Sequence, residues 1–426
     1  MNEMLSYLIR FLLGDDIAAA RYASHIGYTD NPKLFPRYPL VIIPSGFFNE
    51  HVYATPASLP SLPLKEINGM PLLFGRAKEE QTGNTLVIHA DLIAGAYFLV
   101  TRYEEMVRRQ ARDAHGRFPG KESLPFRAGF IHRPLIDEYR LYLRSRLKLP
   151  PPEPGIRQIF LTHDVDAPFL YRSWKGTMRS LLDGRGLIQS FRGKTGNPAE
   201  DPYYTFPRLF EEDGRLAEKT HIARSVFFLK AGGRTPADKP HYNLQNKDIL
   251  RLVDDIRSHG AEIGLHASYE AGQSPRLIAR EKARLEQALG CTVRYNRHHF
   301  LASREPEDMN YLEEQALTDD FSLGYADVAG FRLGTSHPVR WINPHTRRLT
   351  ALRLHPLTVM DCTLEEKKYM NLSRHEASAY CLSLINEVRK AGGELSLLWH
   401  NTSMRENTGS YLPQLYSFLL TQLAGT

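Results

Sequence analysis

The sequence predicts an α/β protein, a smaller mixed α/β domain followed by a parallel sheet or barrel of βα units. Three observations carry that expectation. A chain of 426 residues is too long for one ordinary core. Pro150, Pro151, Pro152 and Pro154 form a stretch that bars both helix and central strand. After that stretch, apolar β-branched runs alternate with segments of helical period. The expected division is therefore a domain over 1–149, a linker over 150–155 and a second domain over 156–426.

Composition narrows the class. A hydrophobic fraction of 42% with 24% charged residues is that of a globular protein, since disorder needs far fewer large apolar residues. The net charge of +6 is scattered, with no dense basic run to grip a phosphate backbone, so nucleic acid is not an expected partner. Cys291, Cys362 and Cys381 are too few and too widely spaced for a disulfide framework or a paired-thiol zinc knuckle. The first sixteen residues lack the basic start and cleavage site of a secretory signal and read as a first helix. No apolar run approaches the roughly 18 residues of a membrane span. A cytoplasmic location is the expectation.

In the first domain, Pro39 to Ile43 and Thr85 to Ile88 read as short buried strands, and Asp91 can cap a helix carrying Leu92, Ala96, Leu99 and Tyr103 on one face. His51, His89, His115 and His132 show no ligand spacing and are expected to be structural. In the second, Ile156 to Thr162 and Ser225 to Leu229 suit buried strands. Lys247 to Ser258 is amphipathic and ends at His259-Gly260, ahead of a strand over Ala261 to Leu265. Ser274-Pro275 opens a helix reaching Gly290, and Cys291 to Asn296 reads as the next strand. Ser373 with Glu376 forms a capping box for a helix reaching Gly392, before a late strand from Glu394 to Trp399.

Ionisable residues cluster at the carboxyl ends of these strands, where loops converge on one pocket. Asp164 and Asp166 are two positions apart and face the same way if their strand continues, where they would repel without a cation or an arginine between them. His266 ends the strand after Gly264, and Glu270 follows one helical turn later. Imidazole with carboxylate oxygens suits zinc or another first-row divalent ion. His298 and His299 point to opposite sides of an extended chain, so at most one faces the pocket. His400 ends the last strand, and Asp361, ending the run Val359-Met360, is available to hold one of its ring nitrogens.

At these residues the chain resembles the polysaccharide deacetylase superfamily, the NodB-homology domain of carbohydrate esterase family 4, over about residues 156 to 423. The preceding part resembles the uncharacterised domain found ahead of some members. The resemblance implies a distorted (β/α) barrel of about seven strands and a metal-dependent hydrolase acting on an acetylated saccharide, in the formation or modification of surface polysaccharide. Thr162 to Asp166 resembles the first family motif in its spaced form, which implies that Asp164 is the catalytic base and Asp166 a metal ligand. Glu262 to His266 resembles the second, implying His266 as a ligand. Arg297 to Phe300 resembles the third, whose arginine pairs with the base, and Leu395 to His400 the last, whose histidine is the general acid.

Two departures matter. The family's second histidine is Glu270 here, and His299 stands where a proline is usual. His299 is the expected third ligand, because neutral imidazole leaves more positive charge on the metal than a carboxylate does. No Asp-x-x-Trp motif is present, so Asp361 is the expected partner of His400. Phe300, Arg332 and Trp399 are expected to contact substrate. The cofactor implied is a divalent ion, most simply zinc, with cobalt, nickel or manganese as alternatives. The N-terminal domain would serve substrate grip, dimerisation or docking of polysaccharide-assembly enzymes. Two rival readings keep the fold: a carbohydrate-binding or scaffold protein that has lost the metal, and a hydrolase of a small amide or ester.

Overall fold

The computed structural model describes residues 3–14, 17–172, 174–182, 184, 186 and 194–425. Its first sheet is built from β1 (Ile26–Tyr28), β2 (Leu40–Ile42), β5 (Gly75–Thr82) and β6 (Thr85–Ala90), in the order β1-β2-β6-β5. Here β1, β2 and β6 run parallel and β5 returns antiparallel on β6. A two-stranded hairpin of β3 (Lys65–Ile67) and β4 (Met70–Leu72) lies between β2 and β5 in the chain. After β6, Asp91 caps the helix Leu92–Val100 by accepting from the Ala94 amide at 3.0 Å. All nine residues of that helix are buried, as an apolar segment without a polar face requires. Met1, Asn2, Asp15 and Asp16 of the expected first helix lie outside the described residues, and the helix itself spans Glu3–Leu13.

The second sheet has nine strands: β7 (Gln158–Val165), β8 (Ala223–Lys230), β9 (Glu262–Ala267), β10 (Tyr295–His298), β11 (Asp319–Leu323), β12 (Val339–Ile342), β13 (Leu349–Pro356), β14 (Val359–Met360) and β15 (Glu394–Leu398). Their order is β12-β13-β11-β10-β9-β8-β7-β15-β14, parallel throughout except for the hairpin partner β12. The sheet curls into a half barrel whose edge strands β12 and β14 are not paired to each other. The expectation of about seven strands is corrected to nine. β14 coincides with the run Val359-Met360, whereas β11, β12 and β13 have no counterpart among the strands read from the sequence. The strand expected over Cys291 to Asn296 begins four residues later, in register with β9. The helix Lys247–Ser258 and the capping box of Ser373 and Glu376 stand where the sequence places them. No described helix is long and apolar enough to cross a membrane.

Inside the curl, Phe160, Val226, Phe228 and Phe321 form an apolar floor. His355 lies flat on Phe321, ring centroids 4.4 Å apart, and links β11 to β15 by contacts to Asp319 at 2.9 Å and Glu394 at 2.8 Å. Burial alone would lower the His355 pKa, but Asp319 and Glu394 outweigh it and raise it. Burial pushes Asp319 the other way, yet His355 and its further donors hold it at about 2. A raised histidine contributes stability below its unfolded pKa of about 6.5 and loses it as pH rises through the folded value. A depressed aspartate contributes above about 3.9 and loses it as pH falls towards 2. Urea midpoints are therefore expected to peak between about pH 4 and 6.5. Substitution His355→Gln should flatten the alkaline limb, and an unchanged limb would exclude His355 as its source.

Candidate active site

The carboxyl ends of β7, β9, β10 and β15 meet at the open mouth of the sheet. Strand β7 continues past Thr162, so Thr162, Asp164 and then Asp166 follow one face at a period of two. Asp166 lies just beyond the strand and stays partly exposed, while Asp164 is buried. Asp166 Oδ1 receives two imidazoles, with His266 Nε2 at 3.1 Å and His299 Nε2 at 3.2 Å. The ligand atoms of these three residues all lie within 4.8 Å of one another. His298, one residue earlier, turns to the other side of β10, onto Asn296 and Ser322.

The second ring nitrogens decide what this convergence means. His266 Nδ1 faces the Arg297 carbonyl at 3.0 Å. A carbonyl only accepts, so Nδ1 carries a proton and Nε2 is the nitrogen turned to Asp166. His299 Nδ1 faces the Asp238 carboxylate at 3.5 Å in the same sense. Two imidazole nitrogens and a carboxylate therefore point into one space, where the carboxylate is matched either by protons on the facing nitrogens or by a metal cation bound between all three. Burial raises the pKa of Asp166, but His299 and His266 outweigh it and hold this carboxyl well below the usual range. Two imidazoles and a carboxylate, each imidazole fixed by an acceptor behind it, form a donor set that fits a first-row divalent ion.

Beside this group, Asp164 lies 3.6 Å from Arg297 Nη1, and its other oxygen lies 3.6 Å from His266 Nε2. Arg297 is fully buried, donates to Thr162 Oγ1 at 2.9 Å and stands over the Phe228 ring at 5.0 Å. Asp164 Oδ1 is buried without a hydrogen-bond donor among the described residues and faces the Arg297 guanidinium, so Oδ2, on the His266 side, is the oxygen turned to the ligand group. On the opposite side, His400 Nε2 points back at Asp166 Oδ2, 3.6 Å away. Its Nδ1 is held by Asp361 at 2.9 Å, and the same aspartate accepts the His400 amide at 2.7 Å. Burial works against charging His400, but Asp361 overrides it and raises the imidazole well above its ordinary value.

Several residues were not legible in advance. Asp238, on the loop after β8, stands behind His299; its only sequence signal was the capping box it makes with Thr235. Burial raises its carboxyl, yet His299, Thr235 and the Tyr269 amide bring it down to about 2. Lys230, at the end of β8, is buried with its ammonium donating to the Asp238 and Pro240 carbonyls. Cys362 Sγ lies 3.8 Å from His400 Nδ1. Burial first and Asp361 second push this thiol up to about 12, so it stands beside the histidine as a neutral group.

Two sequence expectations, those for Trp399 and Arg332, are placed differently, while Glu270 lies where the choice of His299 as third ligand leaves it. Glu270 lies outside the ligand group and accepts the Arg234 amide at 2.8 Å. Trp399 does not face the mouth: it is fully buried against Tyr416, because alternation along the chain sends it inward as His400 points out. Arg332 is corrected from a substrate contact to a buried brace, its guanidinium clamped on Glu105 at 3.0 and 2.8 Å and on the Gly324 carbonyl at 2.8 Å. Phe300 does reach the mouth, partly exposed, with its ring 4.7 Å from that of His299. Phe300 and Leu301 both have left-handed backbones, φ 61° and 53°. Such a conformation costs about 1–2 kcal/mol per residue without glycine, and strain of this kind is typical of functional turns.

A sequence profile described as a family of unknown function, DUF7033, matches residues 1–150. No protein of curated function matches the chain. Among solved structures the chain is similar to a protein assigned as a polysaccharide deacetylase from Mycobacterium smegmatis, with TM-score 0.39 and 17% identity over 65% of this chain and 88% of that one. It is also similar to a CE4-family pseudoenzyme from Bacillus anthracis, with TM-score 0.33 and 14% identity over 66% of each chain. A mutant of that pseudoenzyme with restored enzymatic activity has TM-score 0.33 and 14% identity over 66% of this chain and 69% of that one. At these TM-scores none of them adds to what the side-chain geometry carries.

Proposed function

We propose that this chain is a metal-dependent hydrolase that removes an acetyl group from an N-acetylated or O-acetylated saccharide, in surface polysaccharide formation or modification. The observation that carries this reading is the convergence of His266, His299 and Asp166 on one point, with Asp164 and His400 on its two flanks. Asp166, His266 and His299 would hold a divalent ion, most simply zinc, which when bound polarises an acyl carbonyl and makes water more acidic. Asp164 takes the proton of the attacking water, and Arg297, 3.6 Å away, pairs with that carboxylate and aims it. His400, kept protonated near neutral pH by Asp361, gives its proton to the departing sugar nitrogen or oxygen. Phe300 offers an apolar face to the ring of the sugar beside His299.

Amide and ester hydrolysis share these requirements, so the saccharide is the part of the proposal that comes from the sequence resemblance. Purified protein is expected to carry about one equivalent of zinc or a similar ion, to lose turnover of acetylated sugars on chelation, and to regain it when the ion is restored. Protein without bound metal, whose turnover ignores chelators, would sink the proposal. Turnover of simple acyl esters but of no acetylated sugar would keep the chemistry and discard the substrate.

A further inference from the structure

The strained turn that carries His299 is held from the N-terminal part of the chain. Arg117 Nη1 donates to the Phe300 carbonyl at 2.8 Å, and Arg117 is itself fixed by Asp113 through Nε at 2.8 Å. Arg102 takes the hydroxyl of Ser303 at 3.0 Å and its carbonyl at 2.7 Å. In the other direction, Arg304 donates to the His115 carbonyl at 2.9 Å, and the His115 ring packs on Phe300 with centroids 4.9 Å apart. Further out, Arg109 pairs with Glu305 at 2.7 Å in a more exposed bridge.

These contacts differ in what they can do. The Arg109 pair is a surface link that adds little more than docking. The Arg117 contact is nearly buried and falls on the first carbonyl after His299, inside the left-handed pair Phe300 and Leu301. Non-glycine residues persist in that conformation only when their surroundings determine it. We propose that Arg117 is a positioning residue: the N-terminal segment holds the 299–301 turn, and so the His299 imidazole, in the geometry that binds a divalent cation. The proposal rests on the reading of His299 as a ligand, and it gives the segment matched by the family of unknown function a task inside the site.

The test is zinc affinity of the full-length apoprotein, measured by competition with a chromophoric chelator and independent of turnover. Arg117→Ala is expected to weaken zinc binding by about tenfold, as loss of groups that orient metal ligands typically does. Arg117→Lys should recover part of that loss, and Arg109→Ala should bind as the parent does. Adding Phe300→Gly to Arg117→Ala should restore affinity, because glycine adopts a positive φ without outside help. That rescue separates positioning from general damage, and it still decides the matter if Arg117→Ala alone folds poorly. Parental affinity in Arg117→Ala, with His299→Ala weakened, overturns the clamp and spares the ligand assignment. Parental affinity in His299→Ala overturns the ligand assignment and the clamp with it.

Discussion

Replacement Asp164→Asn is expected to lower kcat by about a thousandfold, the middle of the range for a positioned general base, while zinc stays bound. Asp164 is buried, lies outside the three-residue ligand group and keeps one oxygen without a donor among the described residues. An amide is close to isosteric with the carboxylate, so the packing of β7 survives. Its oxygen is too weakly basic to take a proton from water, so the proton acceptor is lost along with the charge that faces Arg297. The check is a paired measurement of zinc content and steady-state kinetics on one preparation. A variant with bound zinc and kcat within threefold of the parent would remove Asp164 as the base and leave His400 as the group to examine.

How far the site could be read in advance follows from how local each determinant is. Asp164, Asp166, His266 and His400 stand at the ends of apolar runs, and the period of a strand fixes their facing, so four residues of the mouth were visible from spacing alone. The choice between His298 and His299 was not, because it depends on where β10 ends, and that end is set by pairing with β9. Asp238 was hidden for a related reason: it reaches His299 from a loop 61 residues earlier in the chain, and no periodicity spans such a distance. Trp399 shows the opposite failure. It was expected to contact substrate, whereas it shares a side of the chain with Leu397 in the main core, Leu398 packing into a separate cluster on the other side.

The second large effect concerns Arg297, fully buried with only its Nη2 hydrogen-bonded to a side chain, at Thr162. Its Nε and Nη1 have no hydrogen-bond partner among the described residues. Burial lowers the Arg297 pKa, opposed by Asp164 and Asp320, so the charge is held mainly by carboxylates that it in turn holds. Substitution Arg297→Met keeps most of the volume and removes the charge. Breaking a buried pair from one side leaves the other charge uncompensated, at a cost of about 3–5 kcal/mol. Replacing both members, Arg297→Met with Asp164→Asn, removes both charges of the pair and should return part of that loss, the remainder falling on Asp320, which also faces Arg297. The measurement is urea unfolding of the parent, the two single variants and the double variant, all with chelator present so that metal binding does not shift the midpoints. Additive costs would mean that Arg297 does not feel Asp164, and a base that no cation holds would have to be oriented by His266 alone.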